Sequence, residues 1–287
     1  MKIIITQDDG KEYEILTTPV LTPIPFPTPP PPLPPNKYVL TCIINWGANA
    51  LINLPVQDSS ELTNFVLPVR ADGTLLPQNS LAVEQKFVSD VKAAGKIVTF
   101  TTFGGGKSQL PEYTIAAITQ KTNLINSIST RIFQFGYDGV ILDIENVPTL
   151  NPQVLSDFIT SLRAKLGTKK IGMHVQPAQL TTSHSKLPAM LLDYVSPMIY
   201  DIPNTYYSKE KWIELTNAWL TIVPKEKLVI GVAVGTYPPQ NGSLNLTQFG
   251  EMLDAVKTEG WKGISIWEHT LFSESYKLVR RAKMPNI

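Results

Sequence analysis

The chain has 287 residues, 43% of them apolar, with 25 basic against 24 acidic side chains. That length allows one large domain or two small ones with a sizeable core, and the even charge leaves no footprint for nucleic acid or an anionic membrane surface. A lone cysteine, Cys42, excludes an internal disulfide framework, and no apolar run approaches the roughly 20 residues of a membrane-spanning helix.

The N-terminal stretch MKIIITQDDGKEYEIL turns charged after five residues, which is not the pattern of a secretory signal peptide. Its two halves alternate around Asp9-Gly10, a hairpin signal. So short a segment buries no core of its own, and residues 1–17 read either as a frayed tail or as a hairpin that docks on a protein partner. Ten of the 24 prolines fall between Pro19 and Pro35, so residues 18–37 read as a semi-rigid polyproline spacer.

From residue 38 to 287, short β-branched runs alternate with amphipathic stretches. YVLTCIIN opens the series, with Cys42 as a small buried hydrophobe, and NFVLPVR follows. A helix covers LAVEQKFVSDVKAAG, KIVTFTTF is the third strand, and one long helix is expected from Ile115 to Phe135. GVILDIE is the fourth strand, followed by a helix from Pro152 to Leu166. KKIGMHV and YVSPMIYD are the fifth and sixth strands. KLVIGVAV, a helix from Thr247 to Glu259, GISIW and a last helix complete the chain. Glycines 95, 136, 167 and 260 stand at helix exits, the usual stop signal. Eight strands separated mostly by helices match an α/β fold of the (β/α)8 TIM-barrel class. An open doubly wound sheet is the alternative, but NWGANAL after the first strand lacks the glycine-rich phosphate fingerprint.

The fourth strand places Ile141, Asp143 and Glu145 on one face, at roughly 6.6 Å per two-residue step. In a barrel that face points inward, with Glu145 nearest the C-terminal mouth where active sites of this fold lie. Burying a carboxylate costs several kcal/mol unless it is paired, so two of them call for a reason: a structural ion pair, a solvated strand end, or a catalytic pair. A metal site is a poor fit, since His174, His184 and His269 show no ligand spacing with them, and no cofactor is expected.

YDGVILDIE resembles the signature of the family 18 glycoside hydrolases, Asp-Gly-x-Asp-x-Asp-x-Glu on the fourth barrel strand. Asp138, Gly139, Asp143 and Glu145 match it, and Ile141 replaces the middle aspartate. INWGAN, with Trp46, and TTFGGG, with Gly105, resemble the first and third strands of compact plant-type chitinases. PMIYD resembles the Met-x-Tyr-Asp of the sixth strand, placing Met198, Tyr200 and Asp201, and Trp267 resembles the tryptophan of the eighth. The tail DIENVP resembles the spore-cortex and peptidoglycan-acting branch.

The resemblance implies substrate-assisted retention, an exception to the two-carboxylate scheme of most glycosidases. Glu145 would be the general acid and then the base, Asp143 would orient the substrate's acetamido group, and Tyr200 would bond its carbonyl. Asp201, Trp267, Trp46, Gln176, Met198 and Gly105 would contact sugar; the glycines after Phe103 show no P-loop pattern that would suit a phosphate instead. About eleven residues separate GVAVG from the next helix, too few for the insertion domain that deepens the groove in processive chitinases. The expected activity is cleavage of β-1,4 bonds next to N-acetylglucosamine in chitin or chito-oligosaccharides. The alternatives are a peptidoglycan N-acetylglucosaminidase and a carbohydrate-binding or structural barrel docked to a larger assembly. With no signal peptide, such an enzyme would reach extracellular glycan by a non-classical route, by lysis or within a larger particle.

Overall fold

The computed structural model describes residues 2–6, 12–16, 37–45, 51, 53–76, 80–104, 110–200, 208–235 and 243–285. The chain divides into two compact units, Met1–Pro35 and Asn36–Ile287. In the first, β1 (Lys2–Thr6) and β2 (Glu12–Leu16) pair antiparallel, Ile3 opposite Ile15 and Ile5 opposite Tyr13. Thr6 stands opposite Glu12, and the expected turn at Asp9-Gly10 lies outside the described residues.

The second unit is a (β/α)8 barrel. Its parallel strands are β3 (Tyr38–Ile44), β4 (Glu61–Leu67), β5 (Ile97–Thr102), β6 (Gly139–Asp143), β7 (Lys170–Val175), β8 (Tyr194–Pro197), β9 (Val229–Ala233) and β10 (Gly263–Trp267). Each pairs with its neighbours in chain order and β10 returns to β3. Parallel bridges from Val195 to Leu228 and from Met198 to Gly231 join β8 to β9 and close the ring. The helices α1 (Leu81–Ala93), α2 (Pro111–Thr119), α3 (Lys121–Phe135), α4 (Pro152–Leu166), α5 (Lys209–Asn217) and α6 (Leu246–Thr258) lie between strands in sequence, and α7 (Glu274–Lys283) follows β10. None among the described residues is long and apolar enough to cross a membrane.

Strand alternation sorts the apolar side chains into two cores. Val39, Ile43, Val98, Phe100, Val140, Leu142, Ile171 and Met173 join the helix faces, including Leu155, Phe158, Ile159 and Leu162 of α4. The alternate residues Tyr38, Leu40, Ile141, Tyr194 and Val229 fill the barrel itself. Each fully buried Leu, Ile or Phe contributes about 1.5–3 kcal/mol, so α4 is held by its inward stripe far more than by propensity. Its ends are set locally: Asn151 Oδ1 accepts from Gln153 N at 2.9 Å, Pro152 opens the first turn, and Gly167 closes at φ 57°. In α6, Asn245 and Gln248 form a reciprocal capping box, with bonds of 2.9 and 3.0 Å. The Asn245 side chain is thus a helix cap.

Several elements differ from the sequence reading. The long helix is two, α2 and α3, because Gln120 adopts ψ 39° and ends one helix while opening the next. No glycine or proline marks that break. Helix α5 was not expected at all. Strands β6 and β8 stop at Asp143 and Pro197, earlier than read. Strand β4 starts at Glu61 rather than Asn64. Glu61 is fully buried. Its carboxylate accepts from the hydroxyls of Tyr38, Thr99 (2.6 Å) and Tyr194 (2.9 Å), which supply the bonds that make such burial tolerable.

Candidate active site

The motif on β6 divides into a structural base and a reactive tip. Asp138, just before the strand, accepts from Val98 N at 2.9 Å, and its N–H donates to Val98 O at 2.8 Å, locking β6 to β5 at the barrel floor. Gly139 is required by close approach: a Cβ there would stand 2.2 Å from the Lys170 carbonyl oxygen. Ile141 is fully buried in the inner cluster, and Asp143 is 2% exposed one step above it. Glu145 lies beyond the end of the strand, half-buried at the C-terminal mouth.

Around Asp143 the walls are tight. A Cβ on Gly104 would lie 2.3 Å from Asp143 Oδ2 and 2.9 Å from the Phe65 ring, so only glycine fits beside that carboxylate. The preceding Phe103 is buried with φ 81°, a left-handed conformation costly for a bulky residue and sustained by its surroundings. From β7, His174 Nδ1 stands 3.7 Å from Asp143 Oδ1. Burial lowers the His174 pKa to about 4, against the upward pull of Glu145 and Glu61, so its imidazole is neutral at pH 7. Cys42 on β3 is also buried, and desolvation, then the charges of Asp143 and Glu268, push its thiol well up. It is no nucleophile at neutral pH.

Glu145 is held from the β7 side. Gln176 Nε2 donates to Glu145 Oε2 at 3.3 Å, and Asn146 N donates to Gln176 Oε1 at 3.4 Å. Asn146 itself turns at φ 51°. Behind them the buried Gln179 clamps two strand ends: its Oε1 accepts from Gln176 N at 2.8 Å and its Nε2 donates to Ile144 O at 3.0 Å.

Trp267, half-buried, closes the opposite wall and meets Phe65 edge-on with ring centroids 4.6 Å apart. The peptide bonds after Phe65 and after Trp267 are cis. Next to Trp267, burial raises the Glu268 pKa but hydrogen bonds with His269 and Thr270 outweigh it, and the carboxyl stays below its usual range. Tyr200 is 6% exposed just past β8. Met198 is 3% exposed and packs in the main apolar cluster. Asp201, Trp46 and Gly105 fall outside the described residues. Asn45, which precedes Trp46, is anchored by donating to Asn64 Oδ1 (2.9 Å) and Val66 O (2.6 Å).

The structure therefore brings Asp143, Glu145 and Gln176 together, with the Trp267–Phe65 pair on the other strands of the same mouth. The sequence reading passed over Gln179 and Glu268, and weighed His174 only as a metal ligand. His174 was legible in part: inward alternation along KKIGMHV puts it on the Asp143 face, but the adjacent-strand register was needed to set the two side by side. Among the described residues no cluster of three metal-ligating side chains occurs.

No family model matches the chain. The Bacillus subtilis (strain 168) protein YdhD, provisionally named a sporulation-specific glycosylase, is 24% identical over 203 residues, which is 65% of this chain and 48% of YdhD. The chain thus matches about half the length of that relative. Among solved structures, the chitinase RmChi1 of Rhizomucor miehei superposes with a TM-score of 0.71 at 15% identity, over 86% of this chain and 99% of that one. The spore cortex-lytic enzyme SleL of Bacillus cereus gives 0.73 at 14% identity, over 86% and 74%. The fold is that of the family 18 chitinases and cortex-lytic enzymes, and the family 18 resemblance read from YDGVILDIE stands on a barrel of the same architecture.

Proposed function

We propose that this chain is a glycosidase that cleaves β-1,4 bonds next to N-acetylglucosamine by substrate-assisted retention. One observation carries the reading: Asp143 and Glu145, both on or just beyond β6, stand at the mouth with Glu145 still open to solvent and oriented by Gln176. Glu145 is the general acid. It gives its proton to the glycosidic oxygen as the C1–O bond breaks, while the acetamido carbonyl oxygen of the same sugar attacks C1. The cyclic intermediate is then opened by water, whose proton returns to Glu145. Asp143 holds the acetamido N–H and stabilises the positive charge that develops there. Tyr200 bonds the acetamido carbonyl, Trp267 forms the apolar floor under the ring, and Asp201 contacts the same sugar.

Chitin or chito-oligosaccharide is the first substrate reading, supported by the likeness to chitinase folds. Peptidoglycan is the second, favoured by the sequence similarity to YdhD and by the DIENVP tail. The experiment is incubation with chitotetraose and with purified peptidoglycan, followed by mass analysis of the products. Release of N-acetylglucosamine-terminated fragments from either supports the activity and selects the substrate. Intact glycans in both, from a folded protein that still binds them, would place the chain with the carbohydrate-binding barrels.

A further inference from the structure

Ile141 leaves no protic side chain on β6 below Asp143, and a protic group stands beside Asp143 on the neighbouring strand. Asp143 pairs in register with His174, and His174 with Ser196 on β8. Each follows an inward residue by two positions, and all three are almost fully buried. We propose that His174 is a positioning residue for Asp143, its Nδ1–H turned to Oδ1, so that the carboxylate is held toward the sugar's acetamido group during turnover. The role in turnover rests on the glycosidase reading; the side-chain pairing does not.

At 3.7 Å the contact is electrostatic rather than a hydrogen bond, and such contacts in an empty site commonly tighten when substrate binds. The charge state fixes which nitrogen carries the proton. The groups acting on His174 are Asp143 and Glu145 from β6 and its exit, and Glu61 from β4; burial outweighs them and leaves a neutral ring with one N–H. The Nε2–H tautomer would set the Nδ1 lone pair against a carboxylate oxygen, which is repulsive. The Nδ1–H tautomer turns a donor to that oxygen instead. It also leaves a lone pair at Nε2 rather than a buried N–H with no acceptor, since among the described residues neither Nε2 nor the Ser196 hydroxyl on the next strand has a hydrogen-bond partner. The arrangement thus suits one tautomer from both sides.

Two measurements test this, one of them independent of turnover. The chain has only three histidines, so ¹⁵N-labelled imidazoles are resolvable by NMR. His174, assigned by its loss in the H174N protein, is expected in the Nδ1–H form at pH 7; the Nε2–H form would overturn the pairing whatever the enzyme does. For turnover, H174L is expected to lower kcat about 10- to 100-fold, the equivalent of a hydrogen bond to a charged group, with KM within about threefold. The acid limb of its kcat/KM profile should move, and H174N, which keeps an N–H donor, should recover to within about fivefold of wild type. A folded H174L protein with wild-type kcat and pH profile would overturn the positioning role. Should H174L fail to fold, H174N and the spectrum still decide. Absence of any hydrolysis by wild type would defeat the glycosidase reading and leave the tautomer result standing.

Discussion

Ile141 sits where a carboxyl would be expected from the family signature, and its surroundings have closed around an apolar side chain. It packs with Tyr38, Leu40, Tyr194 and Val229 in the inner cluster, and the Tyr194 ring folds over Gly172, where a Cβ would lie 2.3 Å from a ring carbon. The Tyr194 hydroxyl is already committed to Glu61. An Ile141→Asp substitution would therefore add a second carboxyl near a buried one, with no spare donor in that cluster. Expected is a loss of about 1–3 kcal/mol in denaturant unfolding and turnover that is flat or lower at every pH. A stable, faster I141D protein would show instead that isoleucine is a simple loss in an otherwise unaltered site. The replacement was legible in the sequence; whether the site had been rebuilt around it was not. That depends on Tyr38 and Tyr194, which lie on strands far away along the chain.

At the scale of elements, the alternation of short apolar runs and amphipathic stretches was enough to give the barrel and most of its boundaries. It failed where tertiary contacts override local signals. Glu61 begins a strand because three hydroxyls from β3, β5 and β8 converge on it. Glu145 was read as a strand residue but lies beyond β6, so its direction is set by side chains rather than by pleat alternation. Gln179 is the main such device: it ties the exit of β6 to the exit of β7 through Ile144 and Gln176. Removing it should loosen both ends without opening the core, since the short helix that carries it lies outside the barrel strands. A Gln179→Leu protein is expected to melt within a few degrees of wild type and to lose about tenfold or more in kcat, because a small misplacement of the acid is costly. Unchanged kcat with unchanged melting would show that Glu145 needs no such clamp.

At the scale of the whole molecule, the Asn36–Ile287 unit carries its own closed sheet and both hydrophobic cores. Deleting residues 1–36 should leave melting temperature and small-substrate turnover nearly unchanged; a truncated chain that fails to fold would make the hairpin part of the barrel's folding unit. Stability should also fall on the acid side for a defined reason. Burial lowers His174 to about 4 and His184 to about 3, below the ordinary histidine value of 6.5, so protonation favours the unfolded chain. Their contribution is complete above pH 6.5 and is lost as pH drops toward 4 and 3, at about 1.4 kcal/mol per pH unit for each. A His184→Leu protein should show a shallower fall in unfolding free energy between pH 6 and 4 than wild type. An identical slope would mean that His184 is already protonated in the native state.

The most direct measurement compares wild type with Glu145→Gln on the glycan that wild type cleaves, following turnover and binding in parallel. The amide keeps the shape of the side chain but has no proton to give to the leaving oxygen. Turnover is expected to fall by at least about 100-fold while oligosaccharide affinity stays within a few-fold of wild type. A Glu145→Gln protein that retained a tenth of wild-type turnover would contradict the assignment of Glu145 as the general acid, and with it the account of this barrel as a glycosidase built on Asp143 and Glu145.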